Sequence, residues 1–299
     1  MQLTLGPVPF FWPKDQILDF YHTMAEQPVA RIYLGETICS KRREMRTQDW
    51  LDLAQMLTDQ GVEVVVSTLT LLEAESELKT LTRLCKQDTF LVEANDMGAI
   101  NLLNQQGKAF VSGPAINIYN GISLRKLQSL GLQRWVMPVE LSATALQETL
   151  AQAQAVSTEP MPETEVFAYG QLPLAYAARC FTARHRNLAK DDCGFCCIEY
   201  PQGIELASQD GSELFIMNGI QTMSAKTYDL CDQVGNMQDM GITALRISPN
   251  SMDLAPVIKR FQQAIAGQPV ATEQIRLNDI TSGNCNGYWY GRPGMDQID

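Results

Sequence analysis

Cys180, Cys193, Cys196 and Cys197 fall within eighteen residues of a chain that has 8 cysteines in all, spaced C-x12-C-x2-C-C in RCFTARHRNLAKDDCGFCCIEY. Thiolates are soft ligands, and a soft metal centre is the chemistry such a group serves. Two plainer readings compete with it: a disulfide knot, and buried thiols acting as small core hydrophobes. Three cysteines in five residues are more than packing alone asks for. Four thiolates complete either a structural zinc site or an iron–sulfur cluster. Compact zinc ribbons usually show two C-x2-C pairs; the dispersed ligands here favour a cluster.

Neighbouring residues of an extended segment point in opposite directions, so only one of Cys196 and Cys197 is expected to face a metal. A further ligand must then come from elsewhere in the chain. Cys39, in YLGETICSKR, and Cys231, in KTYDLCDQV, are the candidates. Cys85 falls late on a helical stretch and is expected in the outer core, and Cys285 lies in the tail.

The elements that must position these thiols are short apolar runs alternating with amphipathic stretches. Strands are predicted at 3–5, 29–34, 62–67, 90–93, 109–112, 134–139, 165–169 and 243–247, and helices at 14–25, 50–57, 72–86, 96–105, 123–130, 143–156 and 254–265. Buried parallel strands read as continuous apolar runs, as in VVV and FLV. Eight repeated βα units predict an α/β fold of the TIM-like (β/α)8 barrel type. An open doubly wound sheet is the alternative, without a glycine-rich phosphate fingerprint after the first strand. The barrel domain is expected over 1–268, with a cysteine-bearing insertion at 171–240 between strands seven and eight. Shorter strands are predicted inside the insertion at 197–200, 204–206 and 214–217. Loops after barrel strands lie on the face where sites are built, which favours Cys39 over Cys231. The tail at 269–299 ends NCNGYWYGRPGMDQID, where Tyr288, Trp289 and Tyr290 are expected to anchor it to the barrel.

The chain has 299 residues, 45% hydrophobic and 19% charged, which is ordinary globular composition. A net charge of -11 argues against non-specific nucleic-acid binding. Lys41, Arg42, Arg43 and Arg46 read as a solvated loop or an anion contact. No secretory start and no bilayer-length apolar run appear, so a cytoplasmic protein with reduced thiols and no transmembrane segment is expected. His22 and His185 are the only histidines. His22 reads as a surface residue and His185 as a solvated neighbour of the cysteine loop. Without G-x-S-x-G or H-E-x-x-H, a peptidase is poorly supported. Glu36, Glu93 and Glu140 fall at strand ends, where carboxylates line a barrel mouth. Arg179 is placed to neutralise cluster charge or to hold a carboxylate.

EVFAYGQLPLAYAARC, the cysteine-rich loop after it, the YDLC segment and GYWYGRPG resemble the collagenase-like peptidase family, a peptidase family of unknown catalytic type, over nearly the whole chain. The resemblance implies a barrel-like fold and a 4Fe–4S cluster. It also implies that many members hydroxylate RNA or quinone precursors rather than cut peptides. Short acidic members with an early CSKR resemble subunits of oxygen-independent ubiquinone biosynthesis. Such subunits pair with a related chain of the family as a heterodimer that hydroxylates the aromatic ring, with prephenate associated as the oxygen source. A lipid-carrier protein bringing the quinone precursor is a further expected partner.

The family's ligand pattern resembles C-x6-C-x16-C with a later cysteine in a DLC segment. Cys180 matches its second position and Cys197 its third, while Pro173 replaces the first. Cys39 and Cys193 are then the expected recruits, with Cys231 in reserve. The implied iron ligands are Cys39, Cys180, Cys193 and Cys197. Substrate-modifying members often read KIEGR at strand eight, whereas this chain reads LRISPN over 245–250. Loss of that Glu and final Arg implies the less catalytic half of a pair. A metal-stabilised scaffold and a peptidase are the competing functions.

Overall fold

The computed structural model describes residues 1–270 and 283–298. Its strands in chain order are β1 (Gln2–Leu5), β2 (Arg31–Leu34), β3 (Glu63–Ser67), β4 (Leu91–Ala94), β5 (Phe110–Ser112), β6 (Leu132–Val136), β7 (Glu163–Tyr176), β8 (Ile204–Ala207), β9 (Glu213–Asn218), β10 (Gln221–Asp229), β11 (Ala244–Ile247) and β12 (Asn284–Cys285). β1 to β7 pair in parallel in sequence order, and β11 pairs in parallel with both β7 and β1. Those last two pairings close the ring into an eight-stranded barrel, which removes the open-sheet alternative.

Helices α1 (Lys14–Ala25), α2 (Thr47–Asp59), α3 (Glu75–Lys86), α4 (Met97–Gln105), α5 (Gly121–Gln128) and α6 (Ala143–Val156) alternate with the first strands. α7 (Phe181–His185) lies in the insertion, and α8 (Val234–Asp239) and α9 (Ala255–Ile265) flank β11. Short polar side chains start three of them. Asp96 accepts from the Gly98 amide at 2.6 Å, Asn120 from Ser123 at 2.8 Å and Ser142 from Ala145 at 3.2 Å. The main core lies between strands and helices, filled by residues such as Trp135, Phe20, Phe110 and Phe261. A smaller buried set, Tyr33, Val65, Val111 and Val136, fills the barrel interior.

The insertion differs from expectation in three ways. β7 runs well past residue 169; its first half belongs to the barrel and its second pairs antiparallel with β10. Gly170 marks the change of direction, with φ at +123° and the Ser248 carbonyl oxygen 2.8 Å from where a Cβ would stand. β10 escaped the sequence reading because its polar residues, QTMSAKTYD, mask the apolar signal. The strand expected at 197–200 is instead a 3-10 turn, Cys196–Glu199. Gly194 and Phe195 precede it at φ +57° and +56°, a left-handed pair that coils the chain and prevents a strand.

β8, β9 and the outer part of β10 form an antiparallel flap beyond β7. In the tail, β12 pairs with β10 and Trp289 is buried. Residues 271–282 and 299 of the tail lie outside the described residues.

Candidate metal centre and barrel mouth

Cys39, Cys180, Cys193 and Cys197 line one small pocket, together with Lys41, Arg42, Lys190, Phe195 and Gly219. Cys39 sits on the loop after β2. The Glu36 carboxylate accepts the Ile38 amide at 2.8 Å and the Cys39 amide at 3.0 Å, which curls that loop. Cys180 ends the extended run after β7 and caps α7, its Sγ accepting the Ala183 amide at 3.4 Å. The Phe181 amide donates to the Gly219 carbonyl at 2.7 Å, holding α7 against the β9–β10 turn. Cys193 and Cys197 come from the insertion; Cys193 directly precedes the left-handed Gly194–Phe195 pair, and Cys197 lies in the 3-10 turn that follows it.

Basic side chains sew the first loop to the insertion. Lys41 Nζ donates to the Lys190 carbonyl at 2.8 Å and to Asp191 at 2.5 Å. Lys190 Nζ reaches the Ala178 carbonyl at 2.8 Å and pairs with Glu73. Arg42 is buried, a correction to the solvated loop expected here, and its guanidinium donates to the Pro9 carbonyl at 2.7 Å and to Asn218 at 2.6 Å. Three cations on one pocket wall favour thiolate over thiol. Burial works the other way. It raises the Cys39 thiol above its ordinary range and pushes Cys197 up to about 11 against the pull of Arg42. Metal loading of such thiols must release protons.

The remaining cysteines lie elsewhere. Cys196 is buried and does not line the pocket. Cys231 starts a short turn, its amide bonded to Asp229 at 3.1 Å and its thiol beside Arg260, and it too is absent from the pocket wall. Cys85 and Cys285 are buried, their thiols raised by burial to about 11 and about 12. Arg179 and His185 are exposed, and the His185 ring stands edge-on to Tyr200 at 6.1 Å. The cations on the pocket are Lys41, Arg42 and Lys190, not Arg179. Among the described residues no three His, Cys, Asp or Glu side chains stand at single-ion spacing.

A second constellation fills the barrel mouth. Arg246 on β11 is buried and donates from Nη1 to Glu93 at 2.6 Å and from Nε to Glu165 at 2.6 Å. Tyr33 donates to Glu165 at 2.7 Å, Thr4 donates to it at 2.9 Å, and Ser67 donates to Glu93 at 2.6 Å. The Arg246 guanidinium lies 4.0 Å from the Tyr33 ring centroid. Burial alone would raise the Glu165 carboxyl, but Arg246 and the Tyr33 hydroxyl hold it below the ordinary carboxylate range. Arg246 Nη2 has no partner, and the residue lines a pocket with Glu93, Asn95, Gln171, Tyr176 and Gln221. Of the three glutamates expected at the mouth, only Glu93 lines it. Glu36 serves the Cys39 loop, and Glu140 is exposed, accepting from Tyr119 at 3.2 Å. Arg246 and Glu165 were missed as site residues. Their signal was a charge inside an apolar barrel strand, LRI and EVF, where a charge must be paired.

The model of peptidase family U32 matches residues 17–290. The chain belongs to peptidase family U32. The U32 chain is 28% identical over 142 residues to "tRNA hydroxylation protein P1" of Bacillus subtilis (strain 168), a match covering 45% of this chain and 32% of that protein. It is 24% identical over 209 residues to "Collagenase" of Porphyromonas gingivalis (strain ATCC BAA-308 / W83), covering 67% of this chain and 50% of that one. Those matches span half or less of the length of these curated relatives. Among solved structures, the U32 peptidase Mk0906 is similar at a TM-score of 0.45 and 12% identity, over 83% of this chain and 93% of that one. Dihydropteroate synthase from Anaplasma phagocytophilum is similar at a TM-score of 0.44 and 7% identity, over 88% and 98%. No helix among the described residues is long and apolar enough to cross a membrane.

Proposed function

We propose that this U32 chain is the iron–sulfur subunit of an oxygen-independent hydroxylase. Cys39, Cys180, Cys193 and Cys197 would hold a 4Fe–4S cluster. The aromatic ring of a ubiquinone precursor would be the target, with this chain acting as a UbiV-like subunit beside a UbiU-like homologue. A soluble lipid carrier would present the precursor. The observation that carries the reading is the shared pocket of four thiols drawn from the β2 loop, the end of β7 and the insertion.

The donor set fits the group. Four sulfurs, cations on the wall and the Ala183 amide donating to Cys180 Sγ are what a thiolate-bound, negatively charged cluster requires. When bound with all four irons held by cysteine, such a cluster would supply one-electron transfer. The residues around it have their own tasks. Arg42 fixes the distance between the β2 loop and the β9–β10 turn, and Lys41 and Lys190 close the insertion over the pocket. Hydroxylation draws its support from the similarity to the tRNA hydroxylation protein of Bacillus subtilis and from the family resemblance. LRISPN in place of the family's KIEGR supports a supporting rather than a leading catalytic role.

Replacing Cys180 and Cys197 together by serine tests the ligand assignment. The double variant, made without oxygen, is expected to keep its fold by circular dichroism and to lose its iron. Full iron retention would reject these ligands, and loss of iron from Cys231→Ser with retention in Cys39→Ser would put Cys231 in the place of Cys39.

A further inference from the structure

A cavity of about 500 Å³ lies behind the loop that carries Cys39, between α2 and α3. Its two ends differ in chemistry. Leu81 and Leu84, a turn or more into α3, join Val66, Leu72 and Trp50 as an apolar wall. Arg43 and Arg46 come from the loop before α2, close to the first turns of both helices. Helix N-termini carry partial positive charge, so the two helices add to the arginines at that end.

The acidic residues there are already engaged. Glu77 accepts from Ser40 at 2.5 Å and from the Glu73 and Ala74 amides, and Glu36 accepts the Ile38 and Cys39 amides. Among the described residues Arg43 and Arg46 form no ion pair with a carboxylate within 4.0 Å. Trp50 is buried, and its indole N–H has no acceptor. The cavity therefore offers an apolar body, a buried donor and a cationic rim. Arg42 lines both this cavity and the cysteine pocket, so one side chain separates the two.

We propose that this cavity binds an amphiphilic acid, an apolar body with an anionic head. The apolar body lies among Val66, Leu72, Leu81 and Leu84, and the acid faces Arg43 and Arg46. The site deepens the function proposed above by giving the hydroxylation substrate a place, and it rests on that reading only for calling the ligand a substrate. Binding itself requires no metal.

The test is calorimetric titration of the full chain, metal-free and iron-loaded, with 4-octylbenzoate, its neutral methyl ester and benzoate. Saturable one-to-one binding of octylbenzoate is expected in both forms, with benzoate much weaker. The Arg43→Glu/Arg46→Glu variant changes two exposed residues, and should weaken the acid by roughly tenfold or more while the ester moves by less than about twofold. Leu84→Trp fills the cavity and should weaken acid and ester alike. Thr80→Trp, on the exposed side of the same wall, repeats that test if Leu84→Trp lowers the melting temperature. Absence of saturable binding, binding that survives the tryptophan variants, or an equal effect of charge reversal on acid and ester would overturn the proposal. Iron-free chain that still binds the acid separates the two ideas, since failure of the cluster leaves this result standing.

Discussion

Arg42 Nη2 stands 2.6 Å from Asn218 Oδ1, joining two residues that are 176 positions apart. The bond ties the loop bearing Cys39 to the turn that packs against Cys180. Asn218 in turn donates to the Pro9 carbonyl at 2.8 Å, which Arg42 also reaches. The three groups close a buried polar ring beneath the thiols.

That ring predicts the outcome of Arg42→Met. The methionine matches the stem but leaves the Pro9 carbonyl and the Asn218 amide oxygen short of donors, at a cost of about 1–3 kcal/mol. Urea denaturation should show that loss, and anaerobic iron content should fall with it, because Cys39 is no longer held to the insertion. Arg42→Lys should rescue little, since one ammonium cannot span both acceptors.

The mouth network predicts a larger effect. Glu165→Leu removes the shared acceptor of Arg246 Nε, Tyr33 and Thr4, and breaking one side of a buried ion pair costs about 3–5 kcal/mol. A double replacement, Glu165→Leu with Arg246→Met, strips Glu93 of its guanidinium as well and should be less stable still. Denaturation midpoints of the two variants decide this: a double variant as stable as the single one, or more stable, contradicts the account.

The same carboxylate sets a pH dependence. Its folded pKa lies below its unfolded one, so the unfolded state binds the proton more tightly. Stability from Glu165 is therefore fully present above the unfolded value of about 4.3 and is lost as pH falls through the folded one. Stability measured from pH 7 down to pH 3 should fall more steeply for the wild-type chain than for Glu165→Gln. Parallel curves would contradict the assignment.

Gly170 predicts a backbone effect. At φ +123°, with a carbonyl oxygen 2.8 Å from the Cβ position, alanine strains the turn where β7 leaves the barrel. Gly170→Ala should cost about 1–3 kcal/mol in denaturant unfolding. Gly211 is also left-handed but has open space around it, so Gly211→Ala should cost less.

The barrel was legible because its strands are continuous apolar runs, the signal of a sheet covered on both faces. Cys39 was placed on the insertion side by the rule that loops after strands share one face, and the structure brings it to the pocket with Cys180, Cys193 and Cys197. Cys197 rather than Cys196 lines that pocket, though on a 3-10 turn and not on the extended segment expected. What stayed hidden depended on contacts between distant residues. Nothing near Arg42 in the sequence announces Asn218 or Pro9, so a basic run read as solvated. Arg246 was passed over because strand eight was read for what it had lost against KIEGR. The length of β7 was hidden for a similar reason, since its outer half is stabilised by β10, whose polar alternation gave no strand signal.

The most direct measurement is iron and acid-labile sulfide per chain in protein purified without oxygen. The account predicts about four of each, a brown colour and broad absorbance at roughly 400 nm. Colourless protein with no labile sulfide, or with one zinc per chain, would contradict it.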